Sequence, residues 1–270
     1  MKIATWNVNS VNARLETVLA WFREAQPDVA CLQEIKCIDE KFPAEAFESL
    51  GYNVAVHGQK SYNGVALVSK TPLEDVRKGL PGDDGDDHAR YIEAVVSGPS
   101  PVRVASIYLP NGNPQPGPKF DYKLDWFDRL LDHAAGLIEQ DVPVILAGDY
   151  NVVPTDFDIY SVKSFVKNAL LQPAPRAGFA KLVEMGWTDA LRELHPDDTI
   201  FTFWNYLRNR WPRDAGLRLD HLLLSPAIAL RLKAAGVDRE VRGEPNASDH
   251  APAWIRLAAA ARPVRKPRRR

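Results

Sequence analysis

Polar residues that could do chemistry sit just beyond the apolar runs of this chain. They are Asn7 and Asn9 after the first run, Gln33 and Glu34 after the second, and Tyr108 and Asn111 after VRVASI. Asp149 and Asn151 follow VPVILAG, Asp220 lies inside LRLDHLLLS, and Asp249 and His250 precede the last run. A rigid scaffold presents side chains at strand ends, so this recurrence carries more weight than any one residue. An acidic residue in such a place also serves as a turn former or helix cap. As a set, carboxylates and carboxamides suit a hard divalent cation that prefers oxygen, Mg²⁺ or Mn²⁺, and the lack of clustered Cys and His argues against zinc. A metal held by oxygen, a tyrosine and a histidine near an aspartate meet the needs of phosphodiester hydrolysis: charge neutralisation, an oriented water and help for the leaving oxygen. The chain contains no G-x-S-x-G elbow, phosphate-binding G-x-x-x-x-G-K-[ST] loop or dinucleotide fingerprint, which removes support from enzymes built on those motifs.

The elements that must position these residues are visible as apolar runs of strand length, at 2–8, 28–33, 63–69, 91–96, 102–109, 142–148, 219–225 and 251–257. Helical spacing predicts a helix over 11–25, with Val11, Leu15, Val18, Leu19 and Phe22 on one face. It predicts another over 119–139, with Phe120, Leu124, Phe127, Leu130, Leu131, Ala134 and Leu137 on one face. The strands near the start are separated by a helix, whereas those from 52 to 109 follow one another directly. That order predicts an α/β fold of two mixed β-sheets packed face to face with helices outside. The loops 81–87 and 110–118 are rich in turn residues. No linker divides the chain, which predicts one catalytic domain over 1–258 and a basic tail over 259–270.

Composition is that of a soluble protein, with 45% hydrophobic and 26% charged residues. The chain has no run of eighteen apolar residues and no signal-peptide core, so a cytoplasmic location without membrane association is expected. Cys31 and Cys37 have no further cysteine with which to build a thiolate site and are read as free thiols. The net charge of −1 hides an asymmetry, because the last nine residues, RPVRKPRRR, carry six basic groups. The remainder has 28 Lys and Arg against 35 Asp and Glu, a formal −7. An acidic body with a basic end suits an enzyme that gathers carboxylates around a metal and meets a polyanion elsewhere.

TWNVNS at 5–10, LQEIK at 32–36, YLPNG at 108–112, GDYN at 148–151, FTFWNY at 201–206, LRLDHLLLS at 217–225 and SDHAP at 248–252 resemble, in order, the motifs of exonuclease III and the abasic-site endonucleases. LQE, GD-x-N and SDH are shared with the wider endonuclease–exonuclease–phosphatase superfamily that includes DNase I. YLPNG, FTFWNY and LRLDHLLLS are more particular to the DNA-repair branch. The resemblance implies a four-layer, DNase I-like sandwich with its site at one edge. It implies Glu34 as main metal ligand, assisted by Asn7, with Asp249 on the metal through water. Asp149 would activate the water or protonate the leaving oxygen, and Asn151 would hold the phosphate and position Asp149. His250 would bind phosphate, oriented by Asp220, while Tyr108 donates to the phosphate beside Asn111. Phe203 and Trp204 would line a slot for a base-free sugar.

The implied activity is Mg²⁺- or Mn²⁺-dependent hydrolysis 5′ to abasic sites in double-stranded DNA. Exonuclease action from 3′ to 5′ and removal of 3′-phosphates or other 3′ blocks would share the centre, in a monomer without an obligate protein partner. A superfamily phosphodiesterase for lipid or inositol phosphates and a silent DNA-binding relative are the alternatives. Asn205 and Asn9 depart from the acidic residues of some relatives, and 207–216, with Arg208, Arg210 and Arg213, is a candidate strand-contacting loop.

Overall fold

Apolar runs that are β-branched, or buried on both faces, form the strands of two sheets in the computed structural model, which describes residues 1–140 and 142–259. The first sheet contains β1 (Lys2–Asn7), β2 (Val29–Gln33), β3 (Asn53–His57) and β4 (Val65–Ser69). The second begins with β5 (Leu73–Lys78), β6 (Tyr91–Val96), β7 (Val102–Tyr108) and β8 (Val144–Asp149), then takes β9 (Thr188–Asp189) and β10 (Asp220–Leu224). The chain returns to the first sheet with β11 (Leu232–Val237) and β12 (Ala253–Leu257). The orders are β11-β12-β1-β2-β4-β3 and β5-β6-β7-β8-β10-β9. Among the described residues only β1 with β2 and β7 with β8 pair in parallel; the other pairs are antiparallel.

The sheets face each other across Ile3, Val29, Leu67, Val104, Ile145, Leu222 and Ile255, each fully buried. Helix α1 (Leu15–Ala25) covers the outer face of the first sheet, where Val18, Leu19 and Phe22 meet Trp6 and Leu32. After the short α2 (Ala44–Glu48), α3 (Pro118–Ile138) covers the second sheet with Trp126, Phe127, Leu130 and Ala134. These are the mixed, two-sheet layers that the strand order predicts. The 119–139 periodicity matches α3 closely. Helix α1, however, begins at Leu15, not at 11. Asn9 and Ser10 have positive φ, and Val11 N–H donates to Ile35 O, so this stretch turns against the segment after β2. Val11 is buried by that turn, which is why it reads as part of the helical stripe. Cys31 and Cys37 are buried free thiols. The basic tail expected over 259–270 lies outside the described residues from 260 onward.

One buried ring shows the packing around β10. His221 is fully buried; its Nε2 lies 3.3 Å from Val152 O and its Nδ1 3.1 Å from the Arg218 guanidinium. Burial, reinforced by Arg218, lowers its pKa to about 4. The unfolded chain therefore binds a proton that the folded chain refuses between pH 6.5 and about 4. Stability from this group is complete above 6.5 and is lost as pH falls toward 4, by about 3 kcal/mol. Urea titrations of His221→Phe at several pH values should show a shallower loss over that interval than the parent. Identical slopes would refute the assignment.

Candidate active site

Topology gathers the strand-end residues. The C-terminal ends of parallel strands β1 and β2 carry Asn7 and Glu34, and those of β7 and β8 carry Tyr108 and Asp149. Because β10 runs antiparallel to β8, its first residue, Asp220, stands opposite Asp149. Because β12 runs antiparallel to β1, the SDH segment that precedes it arrives at the same edge. There Trp6 Nε1 donates to His250 O at 3.0 Å, and Ser248 Oγ to Asn7 O at 2.6 Å. Gly148 is required by the β7–β8 approach, since a Cβ there would lie 2.0 Å from Ile107 O.

Asn7 joins the two sheets chemically. Its Nδ2 donates to Glu34 Oε1 at 2.8 Å and to Asp149 Oδ2 at 3.0 Å. Glu34 has φ +51°, a conformation uncommon for a non-glycine residue, which turns the chain sharply after β2. Burial opposes ionisation of Glu34, but Lys36 at 2.8 Å and the Asn7 amide outweigh it and hold its pKa below the ordinary value. The Lys36 ammonium also donates to Asn9 Oδ1 at 2.5 Å, and Asn9 Nδ2 reaches Asp249 Oδ1 at 3.3 Å.

Asp149, Asp220 and His250 form a buried trio. His250 Nδ1 is 2.7 Å from Asp220 Oδ2, and its Nε2 is 3.7 Å from Asp149 Oδ2. Burial alone would lower the His250 pKa; the two aspartates reverse this and lift it to about 10, so the ring is an imidazolium at neutral pH. Burial pushes Asp149 up to about 7, against the pull of His250 and with a further push from Asp220. Asn151, at φ +47°, donates its N–H to Asp149 Oδ1 at 2.9 Å, while its amide oxygen accepts from Asn111 Nδ2 at 3.0 Å. Tyr108 stacks under the Arg90 guanidinium at 4.8 Å; burial and the facing Glu34 carboxylate keep its phenol protonated.

Two cation sites are chemically available. Asp149, Asp220 and His250 bring ligand atoms within 4.8 Å of one another, but binding there must displace the imidazolium proton. Glu34 and Asn7 offer oxygen donors where Glu34 already attracts the Lys36 ammonium, and Asn9 links them to the Asp249 carboxylate. That donor set fits a hard divalent cation.

The aromatic pair is divided. The half-buried Phe203 ring lies 4.9 Å from the His250 ring, at the site. Trp204 is 1% exposed, donates Nε1–H to Asp214 Oδ1 at 3.0 Å, and packs with Trp211 and Ala251 behind it. Asn205 is exposed and accepts the Leu207 N–H, whereas Asn9 takes part in the site through Asp249, Lys36 and the Tyr206 hydroxyl. Arg208 and Arg213 are exposed, and Arg210 stacks on Tyr160 at 4.5 Å. Residues not anticipated from the sequence are Arg90, Lys36, Tyr206 and the buried Lys123. Lys36 stands within the LQEIK motif and Tyr206 ends FTFWNY, which could have marked them; Arg90 and Lys123 carried no such signal.

An oxygen-rich corner beside an imidazolium and a carboxyl poised near neutrality, at the edge of a two-sheet sandwich, defines a phosphoester hydrolase. The chain belongs to the endonuclease/exonuclease/phosphatase family, whose model matches residues 4–250, and it is a nuclease of that metal-dependent family. It is 34% identical over 263 residues to exodeoxyribonuclease III of Haemophilus influenzae, covering 94% of this chain and 98% of that protein. The 3′ phosphatase NExo from Neisseria, solved with a product DNA hairpin, superposes with a TM-score of 0.92 at 39% identity over 96% of this chain and all of that one. An AP endonuclease from Archaeoglobus fulgidus gives 0.91 at 34% identity, over 96% of this chain and 100% of that one. Among the described residues no helix is long and apolar enough to cross a membrane.

Proposed function

We propose that this protein hydrolyses the phosphodiester 5′ to abasic sites in double-stranded DNA, and that one centre also removes 3′-terminal nucleotides and 3′ blocks. The observation that carries this reading is the buried Asp149–His250–Asp220 trio, linked through Asn7 to Glu34 and bordered by Phe203. Glu34 and Asn7, with Asp249, would hold Mg²⁺ or Mn²⁺, which supplies charge neutralisation at the phosphate. The His250 imidazolium donates its Nε2–H to a phosphate oxygen, with Asp220 fixing the ring through Nδ1, and Tyr108 donates its hydroxyl. Asp149, with a pKa near 7, exchanges a proton with the attacking water or the leaving oxygen. The water oxygen bonds to phosphorus, the P–O3′ bond breaks, and the departing oxygen gains a proton as a 3′-hydroxyl. Asn151 holds Asp149 in place, Asn111 steadies Asn151, and Phe203 borders a space that a base-free sugar can enter. The enzyme works as a monomer, one catalytic unit over 1–258, in the reducing cytoplasm that its free thiols suit.

Nicking of a duplex with a single abasic site, abolished by EDTA and restored by Mg²⁺, tests this directly; no nicking at saturating metal overturns it. Glu34→Ala should need a higher metal concentration for half-maximal rate, since the cation loses its anionic oxygen. An unchanged metal requirement would remove Glu34 as ligand. Phe203→Ala should lower abasic incision more than release of a 3′-phosphate. Trp204→Ala, which empties a core position, should instead cost stability, about 3–5 kcal/mol. Equal losses on both substrates for Phe203→Ala would count against the slot.

A further inference from the structure

Helix α3 buries a stripe of seven residues, and six of them are apolar; the seventh, Lys123, is a fully buried lysine at the end nearest the site. Its ammonium donates to Asn151 O at 2.6 Å and to Asn111 O at 3.1 Å, with no carboxylate in hydrogen-bonding contact among the described residues. Burial pulls its pKa down to about 7, while the Asp149 charge pulls it back up. A buried cation is costly, and a methionine stem would fill the same space without that cost. The two carbonyls give the ammonium a role that no apolar residue can perform. They belong to the segments that follow β7 and β8, which come from separate strands and are otherwise linked by the bonds from Asn111 Nδ2 to Asn151 Oδ1 and from Asn151 Nδ2 to Leu109 O. Asn151 stands at φ +47°, and in that conformation its N–H reaches Asp149 Oδ1 at 2.9 Å. Room for the lysine stem is also built in. Gly112, at φ +84°, passes so near that a Cβ would lie 2.6 Å from Lys123 Cδ.

We infer that Lys123 is a positioning residue for the reaction: its ammonium clasps the Asn111 and Asn151 carbonyls from beneath and thereby holds Asn151 where it orients Asp149. The inference rests on the proposed role of Asp149. Lys123 is fully buried beneath the Asn111 and Asn151 carbonyls, so its loss should slow the chemical step and leave DNA affinity alone. Misplacement of a reacting group by about 1 Å costs on the order of 10²-fold in rate.

The test compares Lys123→Met, Lys123→Arg and Asp149→Asn in the full chain, with turnover and KM measured on an abasic duplex below each variant's unfolding temperature. Lys123→Met should lose on the order of 10²-fold in kcat with KM changed by less than about three-fold. Lys123→Arg, which keeps donors for both carbonyls, should recover most of that loss. Amide exchange at Asn151 should quicken in Lys123→Met while exchange in the strand cores stays as in the parent. If Lys123→Met does not fold, Lys123→Gln, able to donate to one carbonyl, is read by the same criteria. Near-parental kcat in the neutral variant while Asp149→Asn is inactive overturns the inference. An equal change in kcat and KM, or no rescue by Arg, also overturns it. Full activity in Asp149→Asn overturns the reading of the site beneath it.

Discussion

Asp149→Asn should lower turnover on an abasic duplex by about 10²- to 10⁴-fold, the usual range for removing a positioned proton-transfer group, while the variant still binds DNA. Asp149 is 1% exposed and receives Asn7 Nδ2, Asn151 N–H and, at 3.4 Å, Asn151 Nδ2. An asparagine can keep the bond from Asn151 N–H through its oxygen, but its own NH₂ then meets the donors that the second carboxylate oxygen accepted. It can no longer exchange a proton with water or with the leaving oxygen. The fold gains in compensation. Because the folded-state pKa of Asp149 is raised above its ordinary 3.8, its contribution to stability is complete at low pH and is lost as pH rises toward about 7. At pH 8 the parent carries a charged, buried carboxylate that the variant lacks, so the variant's thermal midpoint should be no lower than the parent's. This pairing of lost turnover with undiminished stability marks a site kept for function. Turnover within ten-fold of the parent, or a midpoint drop large enough to explain the loss, would dismiss the role.

A large loss of stability should come from Asp158→Ala, at a residue outside the reacting centre. Arg218 is 1% exposed; its Nε donates to Asp158 Oδ1 at 2.7 Å and one terminal nitrogen to Asp189 Oδ2 at 2.7 Å. Asp158 also takes Arg192 at 2.7 Å and the Thr155 hydroxyl at 2.8 Å. Burial would raise its pKa, yet Arg218, Thr155 and Arg192 together hold it far below the usual carboxylate range. Removing one partner of a buried pair leaves the other charge uncompensated and costs about 3–5 kcal/mol. In a domain of this size that is roughly a 10 °C fall in Tm. Asp156, largely exposed and paired with Arg176 at 2.9 Å, is the control, and Asp156→Ala should cost at most about 1 kcal/mol. Differential scanning calorimetry of the two variants decides the matter: equal shifts would mean that the buried network contributes no more than a surface pair. The network borders the site, because Arg218 lies two residues before Asp220, the first residue of β10.

Much of the architecture is legible in the chain because strands buried on both faces must be apolar throughout. The runs that became β1, β2, β4, β6, β7, β8, β10 and β12 are mostly apolar; the buried charges Glu93 in β6 and Arg103 in β7 pair with each other, and β12 leaves Arg256 exposed. The edge strand β5, LEDVRK, is not: five of its six residues are exposed, and only pairing with β6 makes it a strand. Helical spacing extends α1 too far toward its start for a related reason, since Val11 is buried by a turn that bonds to Ile35, a partner that such spacing cannot reveal.

The motifs at strand ends fix which residue types reach the edge, because each follows an apolar run whose direction and length are set locally. Which of two neighbours faces the site is a tertiary matter. Phe203 and Trp204 stand on an extended segment where successive side chains point opposite ways, and only contact with His250 on one side and Trp211 on the other distinguishes them. Lys123 reads as one more charge on an amphipathic helix until two carbonyls from separate loops are found at its tip. The sequence by itself determined the buried strands, the two flanking helices and the kinds of donors and acids that end them, because those follow from burial and local backbone preference. The tertiary structure alone decided that Asn7 would bond to Asp149, 142 positions away, and that His250 would stand between two aspartates. Such contacts depend on sheet order and on the packing of one sheet against the other, neither of which is set by neighbours along the chain.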